Sequence, residues 1–276
     1  MAIAFTLKKI ATAFSLAWKK EANWTSPPVY LVYSLARPLA GAMLIWLMAT
    51  VAGRPQVYLL PAWFSLAAFQ IVPAVLGGTS WAVLEDRERY QMLKYVYLAP
   101  GSAIPYLSGH ALARTVQSLF GAVALAMLGA YALGLRPPEF HPLLLAAALI
   151  LGVTLLLFLG LALAGASLHV ARHGHFMTES IGGVFMLFST AIFPVDVLPF
   201  WIRPICYASP VTWWLELVRR SLGLRFGNVL PQIPTSTILG ILTASCAACI
   251  FLGFAGWSAG ERKAKWKGLL DTTTAY

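Results

Sequence analysis

Charged residues are scarce in this chain, and where they gather limits the chemistry it can do. Asp and Glu together number 10 in 276 residues. Three of them stand in one segment, Glu85-Asp86-Arg87-Glu88-Arg89-Tyr90-Gln91-Met92-Leu93-Lys94, with Ala99-Pro100 just beyond. Opposite charges recur there at helical spacings of three and four residues, so the segment predicts a short, solvated, ion-paired helix. His169, His173 and His175 with Arg172 make a second cluster, and imidazole is a good transition-metal ligand. No Cys or carboxylate stands close to them in sequence except Glu179, so a polar turn is the preferred reading and no metal site is assigned. His110 and Arg114 lie one helical turn apart inside an apolar stretch. Two readings stay open for them: they line a polar path, or they snorkel toward headgroups. Arg37, before Pro38, is placed similarly. Glu216 can pair with Arg219 or Arg220 at i+3 and i+4, which reads as a structural contact. Cys206, Cys246 and Cys249 form no disulfide framework, and the C-x-x-C spacing of the last two falls in an apolar run, where small packing residues are expected. A membrane enzyme needs a converging nucleophile, acid–base or metal set, and only the histidines hint at one.

The elements that must hold these residues are set by the solvent. Hydrophobic residues make up 59% of the chain and charged residues 11%, with a mean hydropathy of +0.74. That is more apolar surface than a soluble domain can bury. In hydrocarbon every backbone N–H and C=O must be paired internally, so the long apolar runs predict an all-α membrane protein. The formal charge of +10 does not point to nucleic acid, because the basic residues flank apolar segments instead of forming one face.

Ile3, Leu7, Ile10, Phe14 and Trp18 recur at steps of three and four, opposite Lys8, Lys9 and Thr12. This predicts an amphipathic helix lying in the membrane interface, a partner-binding helix being the alternative. No small-residue cleavage site follows it, so it does not read as a cleaved signal peptide. Six apolar stretches follow near 31–52, 59–84, 107–134, 143–168, 179–198 and 236–257, each compatible with the about 20 residues a spanning helix needs. Gly53-Arg54-Pro55 and Arg136-Pro137-Pro138 mark tight surface turns. Between Phe193 and Pro234 the chain is still partly apolar, but Pro194, Pro199, Pro204, Pro210, Pro231 and Pro234 forbid one straight span. Two short half-helices that dip into the membrane and return fit it best. The aromatic residues Phe200, Trp201, Tyr207, Trp213 and Trp214 crowd this stretch, with interfacial anchoring as the default reading and a stacking surface for a sugar or lipid as the sharper one. With a cytoplasmic N-terminus, six crossings put all the lysines (8, 9, 19, 20, 94, 263, 265 and 267) on the inner side, as the positive-inside rule asks. Arg54, Arg136, Arg203, Arg219, Arg220 and Arg225 would then be outside, where local pairing within the hairpin can hold them. One domain is expected: an interfacial segment over 1–28, the six-span bundle over 29–258 and a basic tail over 259–276.

An acidic–Arg–Glu cluster after the second span, then a helix, then a proline before the third, resembles the cytoplasmic gating and coupling region of type-2 ABC exporter permeases. Phe193-Pro194, Leu198-Pro199, Trp201, Pro204, Pro210 and Arg219 are similar to that family's Phe-Pro…Leu-Pro…Pro…Arg pattern between the fifth and sixth spans. The order of elements matches along nearly the whole chain. One departure is that Tyr90-Gln91 stands where many relatives place Gly-Thr, which affects the register of the coupling helix. The resemblance implies a transport subunit, not an enzyme, in the inner (cytoplasmic) cell membrane with both termini cytoplasmic. It implies Glu85, Asp86, Arg87, Glu88, Arg89 and Lys94 as contacts to the ATPase, and the proline-rich segment as an extracellular re-entrant hairpin. It also implies two separate ABC ATPase subunits, which would bind ATP and Mg, and a second permease as homodimer or heterodimer. The chain carries no G-x-x-x-x-G-K-[ST] phosphate loop of its own. An amphipathic small molecule or lipid is the expected cargo, with a polysaccharide or lipid-linked glycan as the alternative. An ion-coupled secondary transporter would need carboxylates near the bilayer midplane, and no acidic residue falls in the middle of a predicted span.

Overall fold

The computed structural model describes the chain except for residues 1, 23–25, 52–54, 170–173 and 271–276. Eleven α-helices follow one another, and no strand occurs among the described residues. They are α1 (Ala2–Ala22), α2 (Pro27–Val51), α3 (Pro55–Phe69), α4 (Ile71–Glu88), α5 (Leu93–Leu98), α6 (Ile104–Ala132), α7 (Pro142–Ser167), α8 (Gly174–Phe188), α9 (Arg203–Ala208), α10 (Pro210–Ser221) and α11 (Thr235–Trp266). Pro142, Pro204 and Pro210 open their helices in the first turn, where the missing N–H has no intrahelical partner to lose. Pro73 acts differently. Inside a helix it offers no N–H to the Phe69 carbonyl, and the run is interrupted at Gln70, between α3 and α4.

Among the described residues, four helical stretches are long and apolar enough to cross a membrane: Tyr58–Glu88, Ile104–Ala132, Pro142–Ser167 and Thr235–Trp266. They correspond to the second, third, fourth and sixth predicted spans. The first predicted span falls within α2, whose apolar run covers Leu39–Met48. The fifth, expected over 179–198, is helical only to Phe188. Thr190, at φ 60°, turns the chain away, and Pro194 then precedes a single 3-10 turn at Val195–Val197. The turn motif Gly53-Arg54-Pro55 has its first two residues outside the described ones.

Two close-packing devices hold the bundle. Helices α7 and α11 run parallel and touch backbone to backbone: a Cβ on Gly165 would stand 2.6 Å from the Gly256 carbonyl, and one on Gly253 would stand 2.6 Å from that of Phe158. Gly256 and Gly260 form a G-x-x-x-G pair on that face, which suits association in lipid, where close van der Waals contact replaces the hydrophobic effect. The second device seats a buried tryptophan. Trp214 Nε1 donates to the Ala148 carbonyl at 2.9 Å, and Trp63 Nε1 donates to that of Leu125 at 2.9 Å. In each case the residue four positions on, Gly152 or Gly129, has no side chain, and a Cβ there would collide with the indole nitrogen. Trp213 and Trp214 were expected at the membrane interface, but both are buried. Phe200 and Trp201 are the exposed rings of this stretch.

Candidate functional site

Ionisable side chains collect at the two ends of the bundle. The lysine-rich end joins the last turns of α1, α4, α7 and α11 to the start of α6. Helix α1 lies along α6, its small residues Ala13 and Ala17 buried, so closely that a Cβ on Gly109 would stand 2.6 Å from both Ala13 Cβ and the Ile10 carbonyl. From there Lys20 reaches the end of α4, at 2.9 Å from Asp86 Oδ1 and 3.3 Å from Glu85 Oε2. The other Asp86 oxygen accepts from the Tyr106 hydroxyl of α6 at 2.5 Å. Arg87 turns the opposite way: Nε is 2.9 Å from Glu88 Oε1, and Nη1 donates to the Leu168 carbonyl at the end of α7 at 2.9 Å. A cation on the last carbonyls of a helix is favourable against its dipole. Lys9 Nζ donates to the Pro100 carbonyl at 2.6 Å, which ties α1 to the loop before α6.

This geometry corrects the expectation of a solvated helix over Glu85–Lys94. Asp86 and Arg87 are 1% and 3% exposed. Helix α4 ends at Glu88, and Gln91, at φ 50°, turns the chain before α5 begins at Leu93. The six-residue α5 therefore carries only Lys94 of the segment's charges, while Glu85 to Glu88 belong to α4. Arg89 and Lys94 are exposed, and Glu85 and Glu88 are partly so. Lys20 and Tyr106 are the members that sequence reasoning missed. They stand 66 and 20 positions from Asp86, too far for any local spacing rule to join them. His110 is buried, with its ring 4.6 Å from that of Tyr106, centroid to centroid. Arg114 crosses to α4, where a Cβ on Gly78 would meet its Cγ at 2.8 Å. Of the histidine cluster, His173 lies outside the described residues, as does the side chain of His175. His169 follows α7, and burial, with Lys263 and more weakly Lys267 and Arg87, holds its imidazole below the usual range against an opposing hydrogen bond with the Gly260 backbone. No group of three or more potential metal ligands occurs among the described residues.

The other end is closed by the proline-rich stretch. Pro194, Leu198 and Pro199 flank the 3-10 turn, Trp201 stands 64% exposed, Pro204 opens α9, and Pro210 opens α10. Phe193 is exposed. Arg203 Nε and Nη2 donate to the carbonyls of Leu198 and Asp196 at 3.0 and 2.9 Å, which fixes the turn. Arg219 is fully buried and fully engaged: it meets Glu216 Oε2 at 3.0 Å, Ser65 Oγ of α3 at 3.0 Å, and the carbonyl and hydroxyl of Thr190 at 3.1 Å each. Arg220 takes the other Glu216 oxygen at 3.1 Å and binds Thr235 at the head of α11 at 2.9 Å. The structural reading of Glu216 with Arg219 and Arg220 therefore holds in detail. The end of α10 also meets the α6–α7 connection, where His141 N donates to the Ser221 carbonyl at 2.7 Å.

A family model described as ABC-2 type transporter matches residues 12–222, from the middle of α1 to the end of α10. The chain belongs to the ABC-2 type transporter family. The matched stretch takes in the ion-paired end of α4 and Arg219 with its direct partners Ser65, Thr190 and Glu216; Thr235, which Arg220 binds, lies beyond it. An ABC-2 membrane subunit is a multi-pass permease, a transport component that works with ABC ATPases. Among curated proteins, none matches the chain.

Proposed function

We propose that this ABC-2 permease forms the translocation path of an ATP-driven exporter for an amphipathic small molecule or lipid, with ATP and Mg bound by two separate ATPase subunits and a second permease completing the path. The observation that carries this reading is the joint at the end of α4. There Asp86 holds α1 through Lys20 and α6 through Tyr106, while Arg87 holds α7 through Leu168. A push delivered at this point moves several helices as one body, which is what coupling nucleotide-driven closure to a shift between two conformations of the path requires. Six crossings, counting α2 and α8, leave this end and the C-terminal lysines cytoplasmic in the inner membrane, with the hairpin outside. The aromatic pair Phe200 and Trp201, 80% and 64% exposed, favours a second reading in which the cargo is a polysaccharide or lipid-linked glycan that stacks on the hairpin.

Arg89 and Lys94 are the places to test coupling, because both are exposed. Surface changes of this kind shift stability by about 0.5 kcal/mol or less. At a protein interface, by contrast, reversing a paired charge costs about 2–5 kcal/mol. Arg89→Glu and Lys94→Glu are expected to melt like the wild type, yet to copurify less ATPase and to lose substrate-stimulated ATP hydrolysis in proteoliposomes. Normal assembly and stimulation in both variants would remove this segment from the mechanism.

A further inference from the structure

The apolar stretch Tyr58–Glu88 is long enough to cross the membrane but is built from two helices. Their junction falls at Gln70, near the middle of the stretch, because Pro73 leaves the Phe69 carbonyl without the N–H that would carry α3 into α4. Each half is tied to a different end of the molecule. Helix α3 belongs to the proline-rich end, where Ser65 Oγ accepts from Arg219 at 3.0 Å. Helix α4 belongs to the lysine-rich end, where Asp86 and Arg87 bind Lys20, Tyr106 and the Leu168 carbonyl. Close packing on α7 holds α4 as well, since a Cβ on Gly160 would stand 2.4 Å from Thr79 Oγ1.

The unbroken α6 runs antiparallel beside both halves. Trp63 donates to the Leu125 carbonyl, a Cβ on Gly121 would stand 3.0 Å from Gln70 Oε1, and one on Gly78 would stand 3.5 Å from Ala111 Cα. That register brings Gln117, one turn before Gly121 on the same face, level with the junction. Two buried carboxamide atoms at this level have no hydrogen-bond partner: Gln70 Nε2, a donor, and Gln117 Oε1, an acceptor. Buried polar atoms are costly to leave unpaired, and these two complement each other. On the other flank Pro73 is exposed, and its neighbour on α8 is Gly182, where even an added Cβ would stand 3.5 Å from the proline ring. Hydrogen bonds are therefore fixed on both sides of the junction and missing at it.

We propose that Gln70 and Pro73 form a hinge in the second span, and that a second conformation of the path joins Gln70 Nε2 to Gln117 Oε1. In this hinge, which rests on the reading of the α4 end as the point where the ATPase acts, α4 turns with the lysine-rich joint while α3 stays with the Arg219 network. The hydrogen bond gained at the junction is a contact made in one state only, which is what a shift between two states requires.

The test replaces the carboxamides singly and together, as Gln70→Leu, Gln117→Leu and the double variant, in the full-length permease with its ATPase in proteoliposomes. ATP hydrolysis is expected to fall roughly threefold to tenfold in each single variant, the range of one hydrogen bond between membrane helices. The double variant is expected to lose no more than either single one, and none of the three to melt below the wild type, because the bond is absent from the resting conformation. Losses that multiply in the double variant would overturn the pair, as would lowered melting in both single variants, which would mean that each carboxamide is already engaged at rest. Pro73→Ala tests the hinge without touching the pair: the restored N–H completes the helix, so the amide at position 73 should be protected from exchange and ATP hydrolysis should fall. Unchanged hydrolysis in Pro73→Ala would overturn the hinge. Copurification separates this from the coupling reading, since the hinge variants are expected to keep the ATPase that Arg89→Glu and Lys94→Glu lose. A hinge variant that loses it as well would place its effect at the docking surface and overturn the hinge.

Discussion

The two ends of the bundle use the same residue types to opposite effect. At the proline-rich end, Glu216, Arg219, Ser65 and Thr190 form a buried network in which every Arg219 nitrogen has an acceptor, with Arg220 and Thr235 half-buried at its edge. At the lysine-rich end, Lys20, Asp86, Tyr106, Arg87 and Glu88 also bridge helices, but Arg87 Nη2 is unmet and Arg89 and Lys94 face outward. A buried ionic network whose members all lie in one chain fixes a geometry, since any rearrangement strands a charge. One with exposed flanking charges leaves residues such as Arg89 that can be changed without breaking the buried pairs. The difference separates a network closed within the chain from one flanked by exposed charge.

The largest effect should come from breaking the closed network. Arg219→Met leaves Glu216 buried with only Arg220 and removes the donor that the Thr190 carbonyl and hydroxyl accept, a loss of about 3–5 kcal/mol. Thermal melting in detergent is expected to show severe destabilisation or failure to accumulate. A near-normal melting curve would mean that the network is dispensable. Gly152→Ala tests the seat of the same helix without touching a charge, because the new methyl must displace Trp214 from the Ala148 carbonyl. Overpacking of this kind costs about 1–3 kcal/mol. At the joint, Asp86→Asn removes the charge that holds both Lys20 and Tyr106 but keeps an acceptor, so a loss of about 1–2 kcal/mol is expected from the weaker, neutral hydrogen bonds. Protection of α1 amides from exchange is the sharper readout, because it reports whether α1 has come away from α4. Unchanged protection would detach α1 from the joint.

How much of this was legible in the sequence depended on distance along the chain. Hydropathy alone predicted an all-helical membrane protein, and i+3 and i+4 spacing alone predicted the Glu216 pairs, because both signals are local. The prolines between Phe193 and Pro234 ruled out one straight span there for the same reason. The charged segment misled because helical spacing cannot tell which face a helix turns inward: Asp86 and Arg87 look solvated until α1, α6 and α7 are packed around them. The aromatic run misled likewise, since Trp214 and Trp201 are alike in sequence, and only the glycine at position 152 on another helix makes a buried seat for one of them. Lys20 and Tyr106 carried no local signal at all. That Arg87 Nη2 has no partner among the described residues becomes visible only once their acceptors have been placed.

The smallest expected effect is also the one that probes the open end most directly. Burial and the nearby cations lower the pKa of His169 from its usual value of 6.5. The unfolded chain therefore takes up a proton near that value while the folded chain does not, so stability falls as pH falls through about 6.5 and levels off below the lowered folded value. The slope is bounded by that of one whole proton, about 1.4 kcal/mol per pH unit, and a partial difference gives less. His169→Gln is expected to match the wild type at pH 7.5 and to be relatively less destabilised at pH 5.5, measured as the difference between the two melting profiles in neutral nanodiscs. Identical profiles at both pH values would show that His169 does not feel the cluster.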